Sequence, residues 1–165
     1  TELCKCQALF TKFGGHRQAA GVSLKEENVQ RFRETINSLC TLTEEDLQMK
    51  VYIDMQVPFP YLTEDLIGQF QVMEPFGKGN KRPLFAEKDL KVIQPKIVGK
   101  NENVLQCILE DKQGNRMKAV YFGDVKTCLK EMLAGKVTAV TYFPSINEYM
   151  GRRSIQLTIV NYQKK

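Results

Sequence analysis

The sequence predicts a two-part protein: an α+β part over residues 1–76, followed by a five-stranded β-barrel with one helix over residues 77–165. Two observations support this division. The formal charge changes sign, because the first part carries 7 Lys and Arg against 11 Asp and Glu, whereas the second carries 17 against 8. The spacing of apolar residues also changes, from a mainly helical period in the first part to alternation in the second.

The first part combines three helices with two short strands. A stripe of Val29, Phe32 and Ile36 has the spacing of one helix face. Thr63 is a typical N-cap for the last helix. The predicted elements are a helix over 2–12 ended by Gly14-Gly15, a strand over 19–24, the helix carrying that stripe, a strand over 49–57 and a helix over 62–73.

The second part reads mainly as strands, and its elements have a characteristic order. A loop over 74–85, rich in proline and glycine, separates it from the first part. The predicted elements are strands over 90–99, 103–111 and 116–123, a helix over 124–135, and strands over 136–145 and 152–163. Three strands, a helix and two strands form the order of an OB-fold barrel. We therefore expect residues 77–165 to be an OB-fold-like domain.

Composition excludes several classes of protein. No apolar run approaches the roughly 18–20 residues of a membrane span, and the N-terminus lacks the layout of a signal peptide. The five cysteines form no CxxC pair, and the chain has one histidine, so we expect no zinc site and reduced cysteines, as in a cytoplasmic protein. Because the chain begins without methionine, we expect it to be a fragment of a longer protein.

The stretch GGHRQAAG at residues 14–21 contains the single histidine, His16. Gly14 and Gly15 can adopt positive φ and leave backbone N–H groups uncovered, which allows a concavity that accepts an anion. His16 adds a side chain that can donate a hydrogen bond to such an anion. The residues that follow, Ala19, Ala20 and Gly21, have small side chains, so a bulky ligand could approach this wall of the concavity closely. The alternative is a helix-ending turn with an exposed histidine, and spacing alone leaves both open.

Three motifs carry a resemblance to a known family. FGGHRQAAG resembles the GGHxxAAG motif of DHHA1 domains, the second domain of DHH-superfamily phosphoesterases. MEPFGKGNKRPLF and NEYMGRRSIQLTI are similar to two segments of the RecJ family of single-strand-specific 5′→3′ exonucleases. The motifs occur in family order. The resemblance implies that residues 1–76 are a DHHA1-type domain, truncated at its N-terminus, with a connecting helix.

The resemblance also implies a mechanism for a longer protein that acts in DNA repair and recombination. Mn²⁺ or Mg²⁺ ions, held by an upstream DHH domain, would assist hydrolysis of phosphodiester bonds. His16 would contact a phosphate or stabilise developing charge, with Gly14 and Gly15 beside it, and Arg17 is a further phosphate contact. Ala19, Ala20 and Gly21 would shape the pocket wall. Since the Asp-His-His triplet is missing, we expect this chain to bind no cofactor and to be inactive alone.

The basic second part is expected to bind single-stranded DNA. Such proteins combine basic side chains with aromatic platforms for the bases. The preferred candidates are Lys78, Lys81 and Arg82 in the boundary loop, and Tyr149, Arg152 and Arg153 beside a turn at 146–151. Weaker candidates are Lys96, Lys100, Lys118, Tyr121, Phe122, Tyr142 and Phe143, because most aromatic residues on barrel strands belong to the core. Lys81 and Arg82 stand where the family usually has proline after Gly-Asn.

Two other interpretations remain open at this point. The chain could belong to another DHH/DHHA1 phosphoesterase that acts on short oligonucleotides or cyclic dinucleotides. It could also be a non-catalytic module whose barrel binds a protein such as a single-strand-binding protein. The expected partners are single-stranded DNA, a single-strand-binding protein and the upstream DHH domain of the same polypeptide, with no membrane.

Overall fold

A computed structural model describes residues 2–16 and 19–165. The predicted phosphate contact Arg17 lies outside the described residues. The chain divides into two compact units, Thr1–Lys50 and Val51–Lys165. None of the helices in the described part of the chain has the length and apolar character needed to cross a membrane.

The first unit contains short helices and one two-stranded hairpin. Its elements are α1 (Glu2–Lys5), a 3-10 turn (Gln7–Leu9), β1 (Lys12–His16), β2 (Ala19–Ser23), a 3-10 turn (Glu26–Asn28), α2 (Val29–Ser38) and α3 (Glu44–Leu47). The predicted helix over 2–12 was wrong beyond its first turn. The Thr11 backbone N–H and side-chain hydroxyl both donate to the Ser23 carbonyl, at 2.7 and 3.0 Å, so pairing with β2 overrides the local helical pattern.

The first unit buries little apolar surface. Among its described residues only Cys6 is buried. Phe10 contacts Phe13 and Phe32, with ring centroids 5.7 and 5.3 Å apart, and these aromatic contacts join the hairpin to α2. A small aromatic cluster therefore takes the place of a closed core.

The second unit is built on a seven-stranded mixed sheet. Its elements are β3 (Met55–Gln56), a 3-10 turn (Phe59–Tyr61), α4 (Glu64–Gln71), β4 (Phe85–Lys88), β5 (Lys91–Val98), β6 (Val104–Glu110), β7 (Arg116–Tyr121), α5 (Val125–Leu133), β8 (Val137–Tyr149) and β9 (Arg152–Lys164). The strand order is β3-β4-β8-β9-β7-β6-β5. The pairs β3–β4 and β7–β9 are parallel, and the remaining pairs are antiparallel.

The sheet differs from the predicted barrel in strand number and in closure. The five predicted strands are present as β5–β9, with α5 between β7 and β8. The prediction missed β4, and it shortened β8 by placing a turn at 146–151. No ladder joins β5 to β8 within the described residues, so the sheet is open. The physical reason is that β4 already pairs with Ala139–Tyr142 of β8. One hydrogen bond, from Leu90 N–H to the Thr138 carbonyl at 3.1 Å, joins the residue before β5 to β8.

The segment before the predicted boundary packs with the sheet. Val57, Phe59 and Leu62 are buried in the same core as Phe85 and Tyr142. The Tyr142 hydroxyl donates to the Val57 carbonyl at 3.0 Å. The compact units accordingly divide at Lys50 and Val51, earlier in the chain than the predicted boundary after residue 76.

Candidate nucleic-acid interface

The predicted site residues fall in both units, and each group is described by itself. In the first unit, the register of the hairpin pairs Gly14 with Gly21, Gly15 with Ala20, and His16 with Ala19. Directly opposed residues of an antiparallel pair project from the same face, and successive residues alternate. One face of the hairpin therefore carries His16 and Ala19 beside two glycines.

The two glycines of the GGH motif do not form the predicted positive-φ turn. Gly14 and Gly15 lie in extended strand β1, and neither has a positive φ. A Cβ atom on Gly14 would meet nothing within 4 Å, whereas one on Gly15 would lie 2.5 Å from the Ala19 carbonyl oxygen and the Ala20 Cα. Gly15 is thus required by the close approach of β2. His16 is exposed at the end of β1, on a face left low by Gly14 and Gly21.

In the second unit, the boundary loop places its three cations differently. Lys78 and Lys81 are exposed. The guanidinium of Arg82 lies 5.9 Å from the ring centroid of Phe76 and 5.2 Å from that of Phe143, and it donates to the Pro144 carbonyl at 3.4 Å. Arg82 is therefore held by cation–π contacts at the edge of the sheet.

A β-hairpin arm extends from the sheet, formed by residues 146–149 of β8 and 152–155 of β9, which pair with each other and have no ladder to β4 or β7. Met150 and Gly151 form its two-residue turn, with φ values of 50° and 71°. Tyr149 pairs with Arg152 on one face, and Glu148 pairs with Arg153 on the other. Arg153 also forms an ion pair with Glu64 of α4, 3.2 Å apart. The two arginines, neighbours in sequence, therefore lie on opposite faces of the arm.

The strand registers bring further residues together on the outer face of the sheet, the face opposite Leu105, Ala119 and Leu157 of the core. One row crosses five strands and consists of Phe143, Thr158, Val120, Gln106 and Lys96. The adjacent row consists of Ser145, Gln156, Lys118, Ile108 and Ile93. We call these two rows the outer strip. Its cations lie at Lys96 and Lys118, and Arg82 covers its Phe143 end.

Sequence reasoning named Phe143 and the cations of the outer strip, and it missed the uncharged polar members. Gln106 lies outside the three motifs, whereas Gln156 and Thr158 lie within NEYMGRRSIQLTI without being singled out there. Strand alternation is the sequence signal that places all three on one face. Among the weaker aromatic candidates, Tyr142 is 0% exposed and belongs to the core. Tyr149 is 67% exposed at the end of the arm, so it is available as a platform.

Neither metal ligands nor a reactive cysteine complete a catalytic centre in the second unit. Within residues 2–16 and 19–165, no group of three or more His, Cys, Asp or Glu side chains could hold a metal ion. Burial raises the pKa of the Cys107 thiol to about 12 and that of the Cys128 thiol to about 11. Both thiols are protonated at neutral pH, and a protonated buried thiol is a poor nucleophile.

Comparison with known proteins decides the family. The family model described as the RecJ OB domain matches residues 53–161, which include the sheet, the boundary loop and the arm. This chain belongs to the RecJ family. The matched range begins close to the division between the two compact units.

Relatives within the RecJ family match most of the chain. The single-stranded-DNA-specific exonuclease RecJ of Haemophilus influenzae is 32% identical over 156 residues, which is 92% of this chain and 26% of that protein. The protein of the same name from Bacillus subtilis is 28% identical, covering 95% of this chain and 20% of its own length. The chain thus spans about a quarter of the length of these relatives.

A solved structure shares the fold. The crystal structure of RecJ from Thermus thermophilus in complex with Mg²⁺ matches with a TM-score of 0.70 and 19% identity, covering 99% of this chain and 24% of that chain. The Mn²⁺ complex of the same protein gives the same TM-score. At this level of identity the match shows a RecJ-like fold.

Proposed function

We propose that this chain is the single-stranded-DNA-binding portion of a RecJ-type 5′→3′ exonuclease that acts in DNA repair and recombination. The observation that carries the proposal is the outer strip of the OB domain. Lys96 and Lys118 provide charge for phosphates, and Gln106, Gln156 and Thr158 of the same strip provide uncharged hydrogen-bonding groups. Proteins that bind single strands combine basic side chains with aromatic platforms for the bases, and the exposed Tyr149 on the same face of the arm would be such a platform.

The hydrolytic step is assigned to another part of the longer protein. An upstream DHH domain, with Mn²⁺ or Mg²⁺, would carry out phosphodiester hydrolysis, and this chain alone would be inactive. Among the described residues, no group of three or more His, Cys, Asp or Glu side chains could hold a metal ion. The first unit would act as the DHHA1-type domain of a cytoplasmic enzyme.

In the first unit, the low face of the hairpin supports a role near the substrate backbone. Gly14 and Gly21 present little beyond main chain, and His16 is exposed next to them. In the complete enzyme His16 would contact a phosphate, with Gly15, Ala19 and Ala20 keeping the hairpin narrow. In the second unit, Lys78, Lys81, Arg82, Tyr149 and Arg152 would extend the outer strip, and a single-strand-binding protein is a further proposed partner.

Fluorescence anisotropy with a labelled, 5′-phosphorylated single strand tests DNA binding. We expect this chain to prefer the single strand over a duplex, and the affinity to fall steeply with salt because phosphate contacts release counterions. Lys118→Ala should reduce the slope of log K against log[salt] by about 0.7, the value for one phosphate contact on a single strand. Lys126→Ala on α5 is the matched control, since this exposed lysine lies away from the outer strip.

Two outcomes would contradict the proposal. Equal affinity for the duplex would exclude a single-strand surface, and no binding at low salt would exclude DNA as the ligand of this chain. In the second case, a protein partner would become the better interpretation of the basic domain.

A further inference from the structure

The boundary loop is closed around Asn80. The Asn80 side-chain amide donates to the carbonyl oxygens of Met73, at 2.6 Å, and of Pro75, at 3.2 Å. Its backbone is also used, because Gly77 N–H donates to the Asn80 carbonyl at 2.8 Å and Asn80 N–H donates to the Gly77 carbonyl at 3.2 Å. Asn80 therefore makes four hydrogen bonds. The two from its side chain tie the loop to Met73 and Pro75, which follow α4, and the two through its backbone close the turn with Gly77.

The glycines of the loop do not account for its shape. Neither Gly77 nor Gly79 has a positive φ. A Cβ atom on either would meet nothing within 4 Å, so neither position needs glycine for space. The conformation of residues 77–80 therefore depends on the hydrogen bonds of Asn80. Of the uncharged side chains this short, an amide supplies two donors, which matches the two carbonyl oxygens.

The closed loop determines where three cations lie. Lys78 is inside the turn closed by Gly77 and Asn80, and Lys81 and Arg82 follow it directly. Arg82 reaches the Phe143 end of the outer strip, while both lysines remain exposed. We call residues 77–82 the basic loop. Because the backbone of the basic loop is already held in place, less conformational entropy is lost when the lysines bind a ligand.

We propose that Asn80 is a positioning residue that holds the basic loop so that Lys78 and Lys81 contact the phosphates of a single strand bound on the outer strip. The proposal rests on the proposed DNA-binding function. It assigns to Asn80 a role that acts through the lysines, without direct contact to the DNA.

The test measures single-strand affinity of the whole chain at several salt concentrations. Asn80→Ala should reduce the salt slope by up to about 1.4, because each of two lysine contacts contributes about 0.7. Lys78→Ala/Lys81→Ala should reduce the slope by the same amount in the parent chain and produce little further change in Asn80→Ala. Such coupling between sites is the signature that a double-mutant cycle detects.

Asn115→Ala is the matched control. Asn115 also organises a turn, since its side-chain amide donates to the Asp111 carboxylate at 2.8 Å, but it lies on the β6–β7 connection. Thermal unfolding monitored by circular dichroism shows whether each variant is folded. Asn115→Ala should lower the melting temperature and leave the salt slope unchanged.

The outcomes separate this inference from the proposed function. If the parent chain binds and Asn80→Ala leaves the salt slope unchanged, or adds fully to the lysine substitutions, the positioning role is wrong and DNA binding stands. If the parent chain fails to bind a single strand at low salt, the proposed function is wrong, and the positioning role is overturned with it.

Discussion

At the scale of single residues, Gly14 and Gly15 are neighbours, but the structure explains glycine at the two positions in different ways. The strand register places Gly15 opposite Ala20, so close that a Cβ atom on Gly15 would lie 2.5 Å from the Ala20 Cα. Gly14 is opposite Gly21, and its Cβ position is open. Space therefore requires glycine at 15, whereas glycine at 14 keeps the face next to His16 low.

Alanine substitutions separate these two reasons. Gly15→Ala should destabilise the hairpin by about 1–3 kcal/mol, because the added methyl group forces the two strands apart. Gly14→Ala should leave it folded, since the added methyl group meets no neighbour. Hydrogen exchange of the backbone amides in β1 and β2 measures the effect locally. Equal protection of the hairpin in both variants would show that the close approach at Gly15 is not important.

At the scale of elements, the two faces of the arm carry different side chains. One face begins at the base of the arm with Pro144 and Leu157, which are buried. Farther along the arm the same face carries Glu148 and Arg153, and Arg153 reaches Glu64 of α4. The opposite face continues the outer strip toward Tyr149 and Arg152. Arg152 and Arg153 remain candidates for DNA binding, and we expect them to differ, since Arg153 forms an ion pair with Glu64.

The two arginines should behave differently in DNA binding. Arg152→Ala is expected to reduce the slope of log K against log[salt] by about 0.7, the loss of one phosphate contact. Arg153→Ala should leave the slope nearly unchanged and cost at most about 1 kcal/mol of stability, because its ion pair with Glu64 is partly exposed. Anisotropy titrations and urea unfolding measure the two quantities. If both substitutions reduced the slope equally, the separation of the arginines by face would be refuted.

At the scale of the whole molecule, the segment that contains Val57, Phe59 and Leu62 packs in the core of the second unit. Phe59 and Leu62 are 2% and 3% exposed in its core, and Val57 receives the Tyr142 hydrogen bond. Full burial of side chains of this size contributes roughly 1.5–3 kcal/mol each. Their combined contribution is a large part of the roughly 5–15 kcal/mol that stabilises a typical domain.

Two truncated chains test this assignment. Residues 51–165 should fold with a cooperative thermal transition and retain the near-ultraviolet circular dichroism of packed tyrosines. Residues 77–165 lack Val57, Phe59 and Leu62, so we expect them to be unfolded or to melt at a much lower temperature. A shorter fragment as stable as the longer one would return the boundary to the position after residue 76.

Features that depend on neighbours in the chain could be predicted from the sequence alone. Alternation defined the five strands β5–β9, helical spacing defined α5, and Thr63 was correctly predicted as the cap of α4, where its hydroxyl accepts from Leu66 N–H at 3.2 Å. The order of these elements gave the OB domain, and the motifs gave the RecJ resemblance. These signals are local, because residues on one face of a strand or helix are two to four positions apart in sequence.

Which segments meet depends on contacts between residues far apart in the chain. The Tyr142 hydroxyl and the Val57 carbonyl are 85 residues apart in sequence, so no local pattern shows that residues 51–62 pack on the sheet. Strand register, which also depends on distant partners, places Phe143 and Lys96 in one row of the outer strip and separates Arg152 from Arg153. Periodicity therefore predicts five of the strands and α5, whereas the seven-stranded open sheet and the outer strip depend on the long-range pairing of strands.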